Sequence, residues 1–219
     1  MDEQEQSRQA LSEDARMRFE ALYERRGSWD IERPQPAFVH LVERHLIRGT
    51  VLDVGCGTGD NALLMASLGH PTWGIDIVSG AIACARSKAA ERGLPFGRLL
   101  VGDALALDAL GMTFDTVIDS GLFHALCEKE RAFFLHGLRR ILRPGGLYHM
   151  LGFSDRQQGD SGPRRLTEQD IRATFRDGWK VIDLRATLFE TNIHPHGAKA
   201  WLASIERCDD GPISSGDDT

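Results

Sequence analysis

The chain has 219 residues, 42% of them hydrophobic, and a formal net charge of −6 at pH 7. That supplies a sizeable core for one domain with short extensions, and an acidic balance without a basic stripe argues against nucleic acid as a partner. Cys56, Cys84, Cys127 and Cys208 lack C-x-x-C spacing, the polar start Met1-Asp2-Glu3-Gln4-Glu5 is no secretory signal, and no apolar run approaches a membrane span, so the expectation is a reduced, cytoplasmic protein that keeps off membranes.

Residues 1–10 are polar and are expected to be flexible. Leu11, Ala15, Phe19, Leu22 and Tyr23 recur at helical spacing, which predicts an amphipathic helix over 11–26 stopped by Gly27. Pro34 and Pro36 open a second helix through Leu46, with proline tolerated in the first turn. A strand at 50–54, a helix at 60–68 and a strand at 72–77 follow. Ser79 reads as the N-cap of a helix ending at Gly93. Strands at 98–102 and 114–119, with a loop between them, lead to a helix over 129–142 and a strand at 146–152. Thr167-Glu168-Gln169-Asp170 reads as a capping box opening a helix to about 176. Residues 179–189 and 198–206 alternate as strands, an antiparallel closing pair. The Gly-, Ser- and Asp-rich end, 208–219, reads as disordered.

Repeated strand–helix units predict an α/β, Rossmann-like, doubly wound sheet of seven mainly parallel strands with an antiparallel last strand, under N-terminal lid helices at 11–47. Ligands of such sheets sit beyond the carboxyl ends of the strands. Asp53, Asp76, Asp103 and Asp119 all fall there, which predicts a concave, negative site.

The densest signal is Val51-Leu52-Asp53-Val54-Gly55-Cys56-Gly57-Thr58-Gly59. A short buried strand runs into three alternating glycines, which let the backbone turn and come close to a ligand at a helix N-terminus. A dinucleotide fingerprint would place Gly or Ala at position 60, where this chain has Asp60. Two flanking acids suit a ligand with positive charge better than a pyrophosphate.

This loop resembles motif I of the class I S-adenosylmethionine-dependent methyltransferases, and the resemblance continues in order over roughly 30–152. Gly74-Ile75-Asp76-Ile77 lies about 23 residues beyond Asp53, close to the offset of a ribose-binding acid. Val101-Gly102-Asp103-Ala104, Phe114-Asp115-Thr116-Val117-Ile118-Asp119 and Leu142-Arg143-Pro144-Gly145-Gly146 match the later elements. The resemblance implies S-adenosyl-L-methionine as the cofactor. It places Asp53, Gly55, Cys56, Gly57, Thr58, Gly59 and Asn61 along the loop, and Asp76 and Ile77 at the ribose. It further implies Asp103 and Ala104 at the adenine, with Asp119 and Ser120 near the methionine amino group. Trp29, in Trp29-Asp30-Ile31-Glu32-Arg33-Pro34-Gln35-Pro36, resembles the N-terminal segment of the small-molecule group that acts on thiols, halides, thiopurines and heterocyclic hydroxyls. There it covers the methionine end.

For the acceptor the candidates are Phe19, Tyr23, Phe123 and His124, with His124 the best-placed base and Asp119 a second catalytic candidate. The first helix and the segments 121–128, 153–165 and 189–197 are expected to shape that side, with a mobile loop around Gly159, Gly162 and Pro163. His149 reads as core, and His194-Pro195-His196 without a nearby acid or Cys does not make a metal site. Asp119-Ser120-Gly121-Leu122 lacks the Asn/Asp-Pro-Pro-Tyr/Phe of exocyclic amine methyltransferases. The expectation is methyl transfer to O, S or ring N of a small-molecule acceptor such as a phenol, hydroxylated heteroaromatic or thiol, by a monomer or homodimer. The alternatives are a macromolecular methyltransferase, a noncatalytic S-adenosylmethionine-binding protein and, more remotely, a nicotinamide oxidoreductase.

Overall fold

The structure is a computed structural model that describes residues 3–24, 27–95, 98–159 and 162–208. In chain order it holds α1 (Glu3–Tyr23), α2 (Pro36–Glu43), β1 (Val51–Val54), α3 (Asp60–Ser67), β2 (Thr72–Asp76), α4 (Ser79–Glu91) and β3 (Leu99–Val101). Then come β4 (Phe114–Ser120), α5 (Glu128–Ile141), β5 (Leu142–Phe153), α6 (Glu168–Thr174), β6 (Trp179–Phe189) and β7 (Ala198–Arg207). The sheet has seven strands in the order β3-β2-β1-β4-β5-β7-β6. β1 to β5 pair in parallel, and β7 runs antiparallel between β5 and β6. The order turns around β1 and β4, where the chain leaves first toward β2 and then toward β5. That reversal opens the crevice at the strands' carboxyl ends.

Strand alternation sends successive side chains to opposite layers. Leu52, Val117, Tyr148, Met150 and Trp201 meet Phe134 and Leu138 of α5 and Ile171 of α6 on one face. Val51, Ile118, Leu151 and Leu202 meet Phe38 and Leu41 of α2 and Met65 of α3 on the other. Burying both faces is what the near-continuous apolar β1 and β4 require.

The structure departs from the sequence expectation in five places. α1 starts at Glu3, so 3–10 are helical. Arg8 pairs with Glu5 on its own helix and reaches Asp103 across the sheet edge. Val78, and not Ser79, caps α4: the Asp76 carboxylate accepts the Val78 N–H at 2.9 Å. The segment after β3 winds as a 3-10 turn over Ala104–Leu110, capped by Asp103, whose carboxylate accepts the Leu105 N–H at 2.8 Å. β5 begins at Leu142, before the Pro-Gly-Gly turn, because Leu142 pairs with Phe114 and the register is recovered at Leu147 opposite Thr116. Cys208, expected in the disordered end, donates its backbone N–H to Gly178; residues 209–219 lie outside the described ones, as do 1–2.

Candidate functional site

The loop 55–59 closes β1 onto α3. Gly55, Gly57 and Gly59 have φ of 68, 55 and 88°, all left-handed, which explains glycine at each. Two are also held by close approach. A Cβ at Gly57 would stand 2.7 Å from the Tyr23 hydroxyl, and one at Gly59 would stand 2.8 Å from the Ala85 Cβ. Asp76, at the end of β2, fixes the loop by accepting the Gly57 N–H at 2.9 Å.

The four acids at this edge are not equivalent. Asp76 accepts from two backbone N–H groups and has the Tyr23 hydroxyl beside it. Asp103 accepts from Leu105 and, at 2.5 Å, from the Ser12 hydroxyl of α1. Asp119 accepts from the N–H groups of Leu122 (2.6 Å) and Phe123 (2.9 Å) and from the Tyr148 hydroxyl (2.7 Å). Its carboxylate caps the turn after β4, which leaves it poorly placed for proton transfer. Asp53 differs from all three: it is 1% exposed, and neither carboxylate oxygen has a hydrogen-bond partner among the described residues. Burial, then the charge of Asp119, push its pKa up to about 8. Burial likewise raises Asp119 to about 6 and Asp76 above the ordinary carboxylate range.

Asp60 does not face a ligand as a free charge. Lys88 of α4 and Arg92, which caps that helix, hold it at 2.6 and 3.2 Å, and Lys88 also donates to the Thr58 hydroxyl at 2.9 Å. These contacts staple α3 to α4 and remove one of the two acids expected to flank the ligand.

A cavity of about 50 Å³ lies over the loop, lined by Gly55, Cys56, Gly57, Thr58 and Asn61 below and by Tyr23 and Trp29 above; Ser120 closes one side. Tyr23 and Trp29 meet edge to face at 5.5 Å. Asn61 accepts the Gln35 N–H at 2.9 Å. The Gln35 amide bonds the backbone of Glu190 twice, at 2.9 and 3.0 Å, which straps the Trp29 segment to the end of β6. Asp53, Gly59, Asp76, Ile77, Asp103, Ala104 and Asp119 do not line this cavity; Asp53 and Asp119 lie buried beneath it, and Asp103 faces α1. A larger depression on α6, between Glu168 and Arg172, is open surface remote from the loop residues. Among the described residues no three His, Cys, Asp or Glu side chains gather as a metal site.

The acceptor-side candidates separate. Phe19 lies on α1 with the Arg18 guanidinium 5.0 Å from its ring centre, outside the cavity lining. Phe123 is a core residue against Phe134 and Phe175, at 6.1 and 5.8 Å, and is closed off from a ligand. His124 does sit at the mouth of the turn, but it is no base as placed. Its Nδ1 accepts the Phe153 N–H at 2.7 Å, so the ring proton belongs on Nε2. Burial, with the guanidinium groups of Arg131 and Arg165, pushes its pKa down to about 3. His149 is core as expected, between the Ser204 hydroxyl and the Leu46 carbonyl. Sequence reading missed Ser12 and Arg8 on Asp103 and Arg131 beside His124; Phe153, Arg165 and Phe189 fall in the segments expected to shape the acceptor side, but their packing around His124 was not foreseen. None has a local pattern that would single it out.

Residues 51–146 match a methyltransferase domain family. A 2-heptyl-1-hydroxyquinolin-4(1H)-one methyltransferase of Mycobacteroides abscessus is 34% identical over 161 residues, 73% of this chain and 71% of that protein. The chain belongs to the class I S-adenosylmethionine-dependent methyltransferases. A protein of Arabidopsis thaliana named "Probable thiol methyltransferase 2" is 31% identical over 122 residues, 54% of this chain and 53% of that one. A structure from work on conversion of a disulfide bond into a thioacetal group during echinomycin biosynthesis superposes with a TM-score of 0.80 at 34% identity, covering 89% of this chain and 93% of that one.

The side chains of this methyltransferase fit a cationic cofactor in their chemistry: Asp53 offers a buried carboxylate whose two oxygens have no hydrogen-bond partner among the described residues, while the Tyr23 hydroxyl stands over the glycine loop. No helix among the described residues is long and apolar enough to cross a membrane.

Proposed function

We propose that this methyltransferase moves a methyl group to O, S or ring N of a small, flat acceptor such as a phenol, a hydroxylated heteroaromatic or a thiol. The named acceptors of its relatives, a hydroxyquinolinone and thiols, support that class. The observation that carries the cofactor half is Asp53, buried beside the glycine loop with no partner. Few things repay such a carboxylate except a cation. In this reading Asp53 and the Ser120 turn receive the amino-acid end, Asp76 the ribose hydroxyls, and Asp103 with Ala104 the adenine. Bound there, the sulfonium supplies an electrophilic methyl group.

The chain aligns the partners and excludes water. Trp29 and Tyr23 form the roof and the Gln35–Glu190 strap holds it. Sites for ligands of this size measure roughly 300–1,000 Å³, against about 50 Å³ here. α1 also covers these carboxylates: Ser12 donates to Asp103, and the Tyr23 hydroxyl lies beside Asp76. α1 is therefore a lid that withdraws to admit the cofactor. We place the enzyme in the cytoplasm, as a monomer or homodimer acting on a free small molecule and not on nucleic acid. The test is calorimetry with S-adenosylmethionine, S-adenosylhomocysteine and NAD, together with turnover of a phenol, thiol and hydroxyheteroaromatic panel. Micromolar binding of the first two and a methylated product are expected. NAD binding without a response to the sulfonium would sink the reading.

A further inference from the structure

The acceptor side of the site is built from donors and cations. The turn after β4 lies against the glycine loop: a Cβ at Gly55 would stand 3.2 Å from the Leu122 Cβ. One step along, a Cβ at Gly121 would stand 3.3 Å from His124 Nε2, and Gly121 follows Ser120 at the cavity wall. His124 is clamped at Nδ1 by the Phe153 N–H and lies edge-on to the Phe153 ring at 4.8 Å, with its plane stacked on Phe189 at 6.0 Å. Its Nε2 has no hydrogen-bond partner among the described residues. The tautomer is therefore set by the backbone, and Nε2 presents a fixed N–H.

Cations gather beside the imidazole, and the nearest outer carboxylate, Asp170 of α6, is paired with Arg164 at 3.3 Å. Arg131, from α5, donates from Nε to the Phe123 carbonyl at 3.1 Å, while its Nη2 is buried without a partner. Arg165, before α6, has its guanidinium 5.3 Å from the Phe153 ring centre. β5 and β6 present the aromatic rings of Phe153 and Phe189 to His124. The carboxylate of its own turn, Asp119, is taken up by Leu122, Phe123 and Tyr148. No free carboxylate or neutral imidazole lone pair faces this space among the described residues.

We propose that the acceptor is bound as an aromatic anion, with His124 Nε2–H as its hydrogen-bond donor and Arg131 and Arg165 supplying the field that favours the ionised form. This rests on the methyl-transfer reading above and narrows its substrate class to acidic O–H, S–H or N–OH groups attached to flat rings. The acceptor's lone pair forms the bond to the methyl carbon as the carbon–sulfur bond breaks and its electron pair passes to sulfur. An anion has no proton to give up, so no general base is needed. His124 is a specificity residue under this assignment.

The test is a spectrophotometric pH titration of 4-nitrophenol, whose two protonation states absorb differently, on the full chain loaded with S-adenosylhomocysteine. Binding should lower the probe's apparent pKa by ~1 unit, a tenfold preference for the anion. His124→Asn keeps an acceptor for the Phe153 N–H and removes the Nε2 donor, so it should fold normally and erase most of the shift. His124→Gln returns a donor near Nε2 and should restore part of it. An unshifted or raised pKa, or a full shift in His124→Asn, overturns the proposal. Calorimetry of S-adenosylhomocysteine on the same samples separates this failure from failure of the underlying reading, which would appear as absent binding.

Discussion

Asp115, near the amino end of β4, and Asp53, near the carboxyl end of β1, are treated in opposite ways. At the amino end, Asp115 accepts the Thr50 N–H and hydroxyl at 2.7 Å each and pairs with Arg143 at 2.5 Å. Although some burial works the other way, these partners bring its pKa down to about 2. At the carboxyl end, Asp53 has no partner and its pKa rises to about 8. The same strands thus hold one acid that the fold completes and one that it leaves incomplete. A structural carboxylate is satisfied inside the chain, whereas Asp53 is left without a partner there, which is why we propose that it meets the cation the chain binds.

The largest effect should come from completing Asp53 artificially. Its folded pKa lies above the unfolded value, so the native protein retains a proton that the unfolded chain releases above about pH 4. Its contribution therefore destabilises the fold progressively as pH rises from about 4 to 8. Asp53→Asn should raise stability by roughly 2–4 kcal/mol at pH 9, with little gain near pH 4. Cofactor binding should weaken by about 1.5–3 kcal/mol, the worth of a hydrogen bond to a charged group. Denaturant melts at both pH values and calorimetry in the two proteins check this. A variant that gains no stability at pH 9 yet binds normally would make Asp53 an ordinary buried acid. In the wild type, calorimetry in buffers of different ionisation enthalpy should show proton release on binding near pH 7.

Asp76→Ala should come next, with cofactor affinity lower by roughly 1–3 kcal/mol. Part of that loss will pass through the loop, because Asp76 also holds the Gly57 and Val78 N–H groups. An unchanged dissociation constant would remove Asp76 from the ribose.

How much of this contrast was legible depends on the range of the interaction. The seven strands and the glycine loop follow from local patterns: apolar runs such as Val51-Leu52 and Val117-Ile118, and glycines at positions that need positive φ. Asp53 was legible for the same reason. The partners of Asp60 and Asp103 were not, because Lys88, Arg92 and Ser12 arrive from helices distant in sequence. The role of His124 was read as a base because nothing near it shows that Phe153, 29 residues on, occupies its lone pair. Chemistry set by one residue could be read, and chemistry set by a pair could not.

The lid gives a smaller effect. If α1 must break its contacts with Asp103 and Asp76 before the cofactor enters, Ser12→Ala and Tyr23→Phe should each speed cofactor association severalfold, from about 1 kcal/mol of lost hydrogen bonding. Stopped-flow fluorescence of Trp29 and its neighbours reads the rate. Slower association in both variants would make α1 a fixed wall of the site.

The smallest effect belongs to the completed end. Asp115 has a lowered folded pKa, so the stability it contributes is present above about pH 4 and disappears as pH falls toward 2. The pair is partly exposed, at 44% for Arg143 and 34% for Asp115, and solvent screening discounts it. Asp115→Asn should cost about 1 kcal/mol or less at pH 7 and nothing near pH 2, with cofactor affinity unchanged. The two variants would then move in opposite directions at neutral to alkaline pH: the amino-end substitution loosens the fold and spares binding, while the carboxyl-end substitution tightens the fold and impairs binding. If Asp115→Asn weakened the cofactor as much as Asp53→Asn, the two ends of β1 and β4 would be coupled through the strands, and the division between completed and incomplete acids would fail.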